Sequence, residues 1–200
     1  LIEEAKKRLL IYKDQAFVPG VNGVYPAALE TFRTTRTGLK ILLRPVKMGD
    51  EPLMKDFFYA LSNDSMYRRF MSVRMDMPHE RLQEFGIVDY ANRMMILAVV
   101  EGDSRETIAA IGQYEINDKM HNGEVALVVK DEYQNMGVGH DLLTYLTRLA
   151  RGRGLLGFTA EVLVENEPML NLFKKMGFDT EKKSEDGVYE MRMTFRDLEG

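Results

Sequence analysis

Gln134-Asn135-Met136-Gly137-Val138-Gly139-His140 stands between an apolar run, Glu124 to Lys130, and a segment whose leucines recur at helical spacing: Leu142, Leu143, Leu146 and Leu149. The run before it reads as a strand, and the segment after it reads as a helix from His140 to Arg151, ended by Gly152 and Gly154. Glycines in such a turn let the backbone approach a ligand closely and adopt positive φ. The first amides of a helix have no intrahelical acceptors and carry the positive end of the helix dipole. A strand-to-helix turn with two glycines therefore suits a pyrophosphate, although an ordinary tight turn can be written with the same letters. Two better-known phosphate motifs are excluded. A dinucleotide fingerprint needs a third glycine where Leu142 stands. A Walker loop needs Gly-Lys-Ser/Thr, and here His140-Asp141 follows the glycines.

Working outward, Met94 to Glu101, Thr107 to Glu115 and Glu124 to Lys130 read as three strands of an antiparallel meander. The turns Glu101-Gly102-Asp103-Ser104 and His121-Asn122-Gly123 separate them. Upstream, Lys40 to Val46 reads as a strand. Asp50 to Leu61 reads as a helix with Asp50 as N-cap and Leu53, Phe57, Phe58 and Leu61 on one face. Ser62 to Met71 continues as helix or turn, and Pro78 to Phe85 reads as a further helix. Downstream, Phe158 to Val164 is a strand, and Asn166 to Met176 is a helix stopped by Gly177. Phe178 to Lys183 and Val188 to Phe195 form a hairpin around Ser184-Glu185-Asp186-Gly187. The order predicts an α/β (α+β) fold with a mixed sheet and helices on its faces. Ile2 to Leu10 has helical composition, while Asp14 to Tyr25 is rich in Gly, Pro and Asn, and Tyr25 to Thr37 reads as irregular. Residues 1–34 are thus expected to be a tail, a linker or the end of a preceding domain, and 35–197 one domain.

Composition narrows the chemistry. The formal net charge of −4 supplies no global positive field, so nucleic acid is not an expected partner. There is no cysteine, which removes disulfides, thiolate nucleophiles and Cys-based zinc sites together. The three histidines, His79, His121 and His140, form no metal-ligand pattern, so no metal is expected. The longest apolar runs have strand length, far short of the roughly 20 residues that cross a bilayer, and no signal peptide is visible. A cytoplasmic protein without a membrane partner is the expectation. The chain opens on Leu1 in a charged stretch, which suits a piece of a longer protein.

The pattern Gln134-x-x-Gly137-x-Gly139, after an apolar strand and before Leu142-Leu143, resembles the central motif of GNAT acyltransferases. A second match lies downstream at the expected spacing: Val164-Glu165-Asn166-Glu167-Pro168-Met169, then Leu172-Phe173-Lys174-Lys175-Met176-Gly177-Phe178. The resemblance covers Lys40 to Phe195. It implies the GNAT fold, a mostly antiparallel central sheet with helices on both faces and one splayed parallel strand pair. Arg44-Pro45 with Asp50, Tyr67-Arg68-Arg69-Phe70 and Glu124-Val125-Ala126 resemble bacterial protein lysine acetyltransferases and GNAT domains fused behind acyl-CoA-metabolising enzymes. Glu4-Ala5-Lys6 through Asp14-Gln15-Ala16 also resembles the end of an acetyl-CoA hydrolase/transferase domain.

That resemblance implies an enzyme whose cofactor is acetyl-CoA and whose partners are acyl-CoA and an amine acceptor, with a protein lysine favoured. A fused acyl-CoA-metabolising domain is a further implied partner. Leu127, Val128 and Val129 would offer backbone groups to the pantetheine arm. Gln134, Asn135, Met136, Gly137, Val138, Gly139 and His140 would bind the pyrophosphate through backbone amides, and Asn166 would contact the cofactor from the second unit. A lysine amine, with a pKa of about 10.4, must lose a proton before attacking a thioester. Glu124 is the candidate base. Its side chain shares a strand face with Ala126 and Val128, and it matches the catalytic Glu of the lysine-acetylating subgroup. Many GNAT enzymes place a Tyr acid where this chain has Phe173. Arg68, Arg69 and Phe70 read as helix-end charges plus one core aromatic, or else as walls of the acceptor site. Two alternatives stand beside the protein acceptor: a small-molecule amine acceptor, and a catalytically weak module that senses acyl-CoA.

Overall fold

Alternating apolar runs supply the strands and leucine-rich periodic runs supply the helices that cover them. The computed structural model describes residues 20–21, 23–70, 87–102 and 105–196. In chain order the elements begin with β1 (Gly20–Val21), β2 (Thr31–Thr34), β3 (Lys40–Pro45), α1 (Glu51–Ala60), α2 (Asn63–Phe70) and β4 (Ile87–Val88). The meander follows as β5 (Arg93–Glu101), β6 (Glu106–Asn117) and β7 (Asn122–Val129). The chain continues through α3 (Val138–Gly152), β8 (Gly157–Leu163), α4 (Glu167–Lys175), β9 (Asp179–Glu185) and β10 (Val188–Thr194). Eight strands form one sheet in the order β2-β3-β5-β6-β7-β8-β10-β9. Its neighbours are antiparallel except β7 and β8, which run parallel. β1 and β4 pair separately.

The parallel pair is short. It holds only from Asn122 to Glu124 against Gly157 to Thr159. Beyond Glu124, β7 keeps its partner on the β6 side but loses β8, so the two strands splay. The α3 face of the sheet is closed by Val138, Leu142, Leu143, Leu146 and Ala150, all fully buried. Gly112 on β6 makes that contact possible, since a Cβ there would stand 2.8 Å from a Leu146 methyl and 3.0 Å from a Leu142 methyl. The opposite face carries α1, which buries Met54 and Phe57, and then α2 over β7. Among the described residues no helix is long and apolar enough to cross a membrane.

Several expectations change in detail. Thr31–Thr34, read as irregular and assigned to a leading segment, is an edge strand paired with β3, so the sheet begins upstream of residue 35. Its alternation was hidden because it pairs on one side only and its side chains are largely exposed. α3 starts at Val138, not His140, because Gly137 at φ 92° takes the N-cap position. Asp50 sits at the N-terminus of α1, yet its carboxylate makes no capping bond there. It accepts instead from both terminal nitrogens of Arg44, at 2.7 and 2.8 Å, and from the Lys47 amide at 2.8 Å. Arg44 is buried, and its charge needs a buried partner. The last hairpin turns on Asp186-Gly187 alone, both at positive φ, with Ser184 and Glu185 inside β9. The predicted helix over Pro78 to Phe85 and the helix-like Ile2 to Leu10 lie outside the described residues.

Candidate active site

The splay decides what β7 can offer a ligand. Successive backbone groups of an antiparallel strand point alternately to its two sides. Lys130 donates to Ala109 of β6, whereas the His121 carbonyl accepts from Leu156, just before β8. Even-numbered residues of β7 thus bond towards β6, and odd-numbered ones face β8. Past Glu124 the β8 side is open, so Leu127 turns its amide and carbonyl into the gap and Val129 its amide, while the Val129 carbonyl accepts from Gln134 Nε2. Val128 is different: its backbone groups are tied to Ile111, its partner on β6. Of the three residues expected to meet the pantetheine arm, two reach the gap by their backbone and one does not.

The glycine loop lies at the far end of this gap. Gly137 requires its φ of 92°. Gly139 is needed for closeness, since a Cβ there would stand 3.3 Å from Val129, 3.5 Å from Leu172 and 3.8 Å from Leu127. The start of α3 thus lies close against both β7 and α4. Asn135 is left-handed at φ 61°, and its carbonyl accepts from Arg36 at 2.8 Å. The Met136 carbonyl accepts from Thr37 at 3.0 Å. Val138 is completely buried, backbone included, whereas His140 sits half-exposed at the helix start. Opening amides, a dipole and two glycines fit a pyrophosphate.

Gln134 departs from expectation. Its amide already donates to the Asp131 carbonyl, and so is not a free phosphate donor. Its side chain donates to the Val129 carbonyl at 3.1 Å and to Ser65 Oγ at 3.2 Å. Asp131 completes a small network by accepting from the Ser62 amide, Ser62 Oγ and Ser65 Oγ at 2.6 to 3.0 Å. Burial works against the Asp131 charge, but these hydrogen bonds hold its carboxyl below the usual range. Gln134 therefore straps the loop to the start of α2. Asn166 is buried and caps α4, with Oδ1 accepting from the Met169 amide at 3.3 Å.

Glu124 lies on the other face of the sheet from α3, where Leu127 points towards Gly139 and Glu124 does not. It is exposed, and opens a cleft of about 570 Å³ that runs over β8, β10 and β9 past Thr159, Glu161, Glu190 and Arg192. Arg69 of α2 faces it. Burial pushes the Arg69 guanidinium down to about 10, with the Glu124 charge opposing the shift, so Arg69 remains cationic at neutral pH. Arg69 is thus no helix-end decoration, whereas Arg68 is: it pairs with Asp64 one turn away on the surface. Nothing local in the sequence separates Arg69 from Arg68, because which of the two meets Glu124 depends on how α2 packs over β7. The β2–β3 turn was missed entirely, since Arg36 and Asn135 are 99 residues apart. Phe173 is buried where a tyrosine acid would stand. Tyr114 is fully buried against Phe158, and Tyr145 donates to the Leu29 carbonyl.

The model of the acetyltransferase (GNAT) family matches residues 56–178. The chain belongs to that family. GNAT enzymes take acetyl-CoA as acyl donor. Acetyltransferase Pat of Mycolicibacterium smegmatis is 34% identical over 143 residues, 71% of this chain and 42% of Pat. Acetyltransferase PA5475 of Pseudomonas aeruginosa is 24% identical over 76% of this chain and 81% of its own length. The GNAT domain of S. lividans PAT superposes with a TM-score of 0.73 at 27% identity, covering 86% of this chain and all of that one. A cAMP-binding acyltransferase from Mycobacterium smegmatis superposes at 0.57 with 27% identity, over 95% of this chain and 52% of its own. The GNAT domain thus spans less than half the length of Pat.

Proposed function

We propose that this domain moves an acetyl group from acetyl-CoA to an amine, with a protein lysine as acceptor, by direct attack on the thioester. The observation that carries the reading is the splay between β7 and β8, with the glycine loop at its end and Glu124 on the opposite face. Five residue steps along the strand take Glu124 to Val129, about 17 Å of backbone. That span suits an extended thioester arm lying along the gap, with its reacting end near Glu124. The amides of Met136, Gly137, Gly139 and His140 would hold the pyrophosphate, and Leu127 would bond the arm.

The acceptor enters from the cleft that Glu124 opens. Its ammonium loses a proton to Glu124, directly or through one water. The free amine attacks the thioester carbonyl carbon, the C–S bond breaks, and coenzyme A leaves as thiolate. Solvent returns a proton to the sulfur, which needs no tyrosine because a thiolate is a tolerable leaving group. Arg69 faces Glu124 and helps hold it at the cleft. A cytoplasmic location suits the acyl donor, and a fused domain that handles acyl-CoA suits the segment before residue 20.

Calorimetric titration of acetyl-CoA, followed by acetylation of lysine peptides read by mass spectrometry, tests this. Glu124→Gln should keep the acetyl-CoA affinity and lower kcat by about 10²–10⁴-fold, the usual worth of a general base. Unchanged turnover in that variant would remove Glu124 from the mechanism.

A further inference from the structure

The turn between β2 and β3 lies against the back of the glycine loop, and nothing in the loop's own sequence calls for it. The turn is internally braced. The Thr35 amide donates to the Leu39 carbonyl, the Gly38 amide to the Thr35 carbonyl, and the Leu39 amide to Thr35 Oγ1. From this base Arg36 Nη2 reaches the Asn135 carbonyl at 2.8 Å and Thr37 Oγ1 reaches the Met136 carbonyl at 3.0 Å. The aliphatic stem of Arg36 and the Cβ of Thr35 stand 3.2 and 3.4 Å from where a Gly137 Cβ would be. The turn thus grips two consecutive carbonyls of the loop and packs against the glycine that follows them.

A trans peptide is planar, and its C=O and N–H point in opposite directions. The Asn135 carbonyl shares a peptide plane with the Met136 amide, and the Met136 carbonyl shares one with the Gly137 amide. With both carbonyls held on the β2–β3 side, both amides must face away from it. The backbone has cause to be held, since Asn135 and Gly137 are both left-handed, with Met136 between them. A loop of this shape without the grip has glycine's freedom to rotate either plane.

We propose that Arg36 and Thr37 are positioning residues for the acyl-donor pyrophosphate, fixing two peptide planes so that the Met136 and Gly137 amides point at it. The proposal rests on the acyl-CoA reading. It makes the edge strand β2 part of the donor site, although β2 lies at the far end of the sheet from the hairpin that lines the cleft.

The test compares two acyl donors that differ only beyond the arm: acetyl-CoA, and S-acetylpantetheine, which lacks the pyrophosphate. Thr37→Val removes one grip without touching charge, and Arg36→Lys keeps charge without the same reach. A third variant combines Arg36→Ala with Thr37→Val. Each single variant should weaken acetyl-CoA binding about 3- to 10-fold by calorimetry, and the double variant more than either, as expected for lost side-chain hydrogen bonds. S-acetylpantetheine turnover should be unaltered, so the ratio of kcat/KM for the two donors falls. Equal weakening with both donors would mean that the turn merely supports the fold, and would overturn the assignment. Variants that bind acetyl-CoA as wild type does would overturn it too. A folded wild type that shows no saturable acetyl-CoA binding would end the acyl-donor reading itself, and the positioning role with it.

Discussion

Gly137→Ala puts a methyl group on the one loop residue whose backbone and surroundings both resist it. At φ 92° an L side chain is in left-handed territory, which costs about 1–2 kcal/mol. The new Cβ would also stand 3.2 Å from Arg36 Cγ, a contact that an exposed, flexible side chain can relieve by moving. The backbone cost cannot be relieved so cheaply and must be taken in one of two ways. If the loop keeps its shape, the whole cost falls on stability, and for a domain of this size about 1–2 kcal/mol lowers Tm by roughly 2–8 °C. If Gly137 instead rotates towards negative φ, Tm is spared but the amides at the head of α3 lose their aim, and acetyl-CoA affinity falls by up to about 5- to 30-fold. Differential scanning calorimetry and titration calorimetry on the same preparation read both, and the two losses should trade against each other. Gly137→Asn is the control, because Asn tolerates the left-handed region, and it should lie closer to wild type on both axes. A Gly137→Ala protein with wild-type Tm and wild-type affinity would refute the claim that this φ is required.

Two further outcomes follow from buried and bridging charges. Asp50→Asn leaves the Arg44 charge in the core without its buried carboxylate, facing only the more distant Glu106 carboxylate at 3.5 Å and the Pro45 carbonyl at 3.3 Å, and should cost about 3–5 kcal/mol in urea unfolding while leaving acetyl-CoA affinity unchanged. Asp131, held below the usual carboxylate range, stabilises the fold above its unfolded pKa of about 3.9, and that contribution disappears as pH falls through the lower folded value. Ser65→Ala removes one of its donors and leaves the Gln134 side chain only its bond to the Val129 carbonyl, so the acid midpoint followed by circular dichroism should move to higher pH and acetyl-CoA affinity should drop. An unmoved midpoint would detach Asp131 from acid stability.

Features whose causes are local could be read from consecutive residues. Two glycines between an apolar strand and a leucine-spaced helix can be read without knowing what lies around them, because positive φ and orphan helix amides are properties of a few consecutive residues. The meander, α4 with its Gly177 stop and the final hairpin were legible for the same reason. Glu124 was placed on its face by alternation alone.

Contacts between residues far apart in the chain emerged only on folding. β2 has no pattern of its own, since an edge strand is defined by its neighbour's unpaired groups. Asp50 looked like a cap until the core supplied a buried arginine for it to neutralise. Gln134 looked like a phosphate ligand until Asp131 and Ser65 took its hydrogen bonds. The parity that sets Leu127 and Val129 apart from Val128 depends on where β8 leaves β7, a fact of pairing and not of composition. Sequence fixes what each residue can donate, accept or bury; folding selects which of those options a neighbour is present to meet.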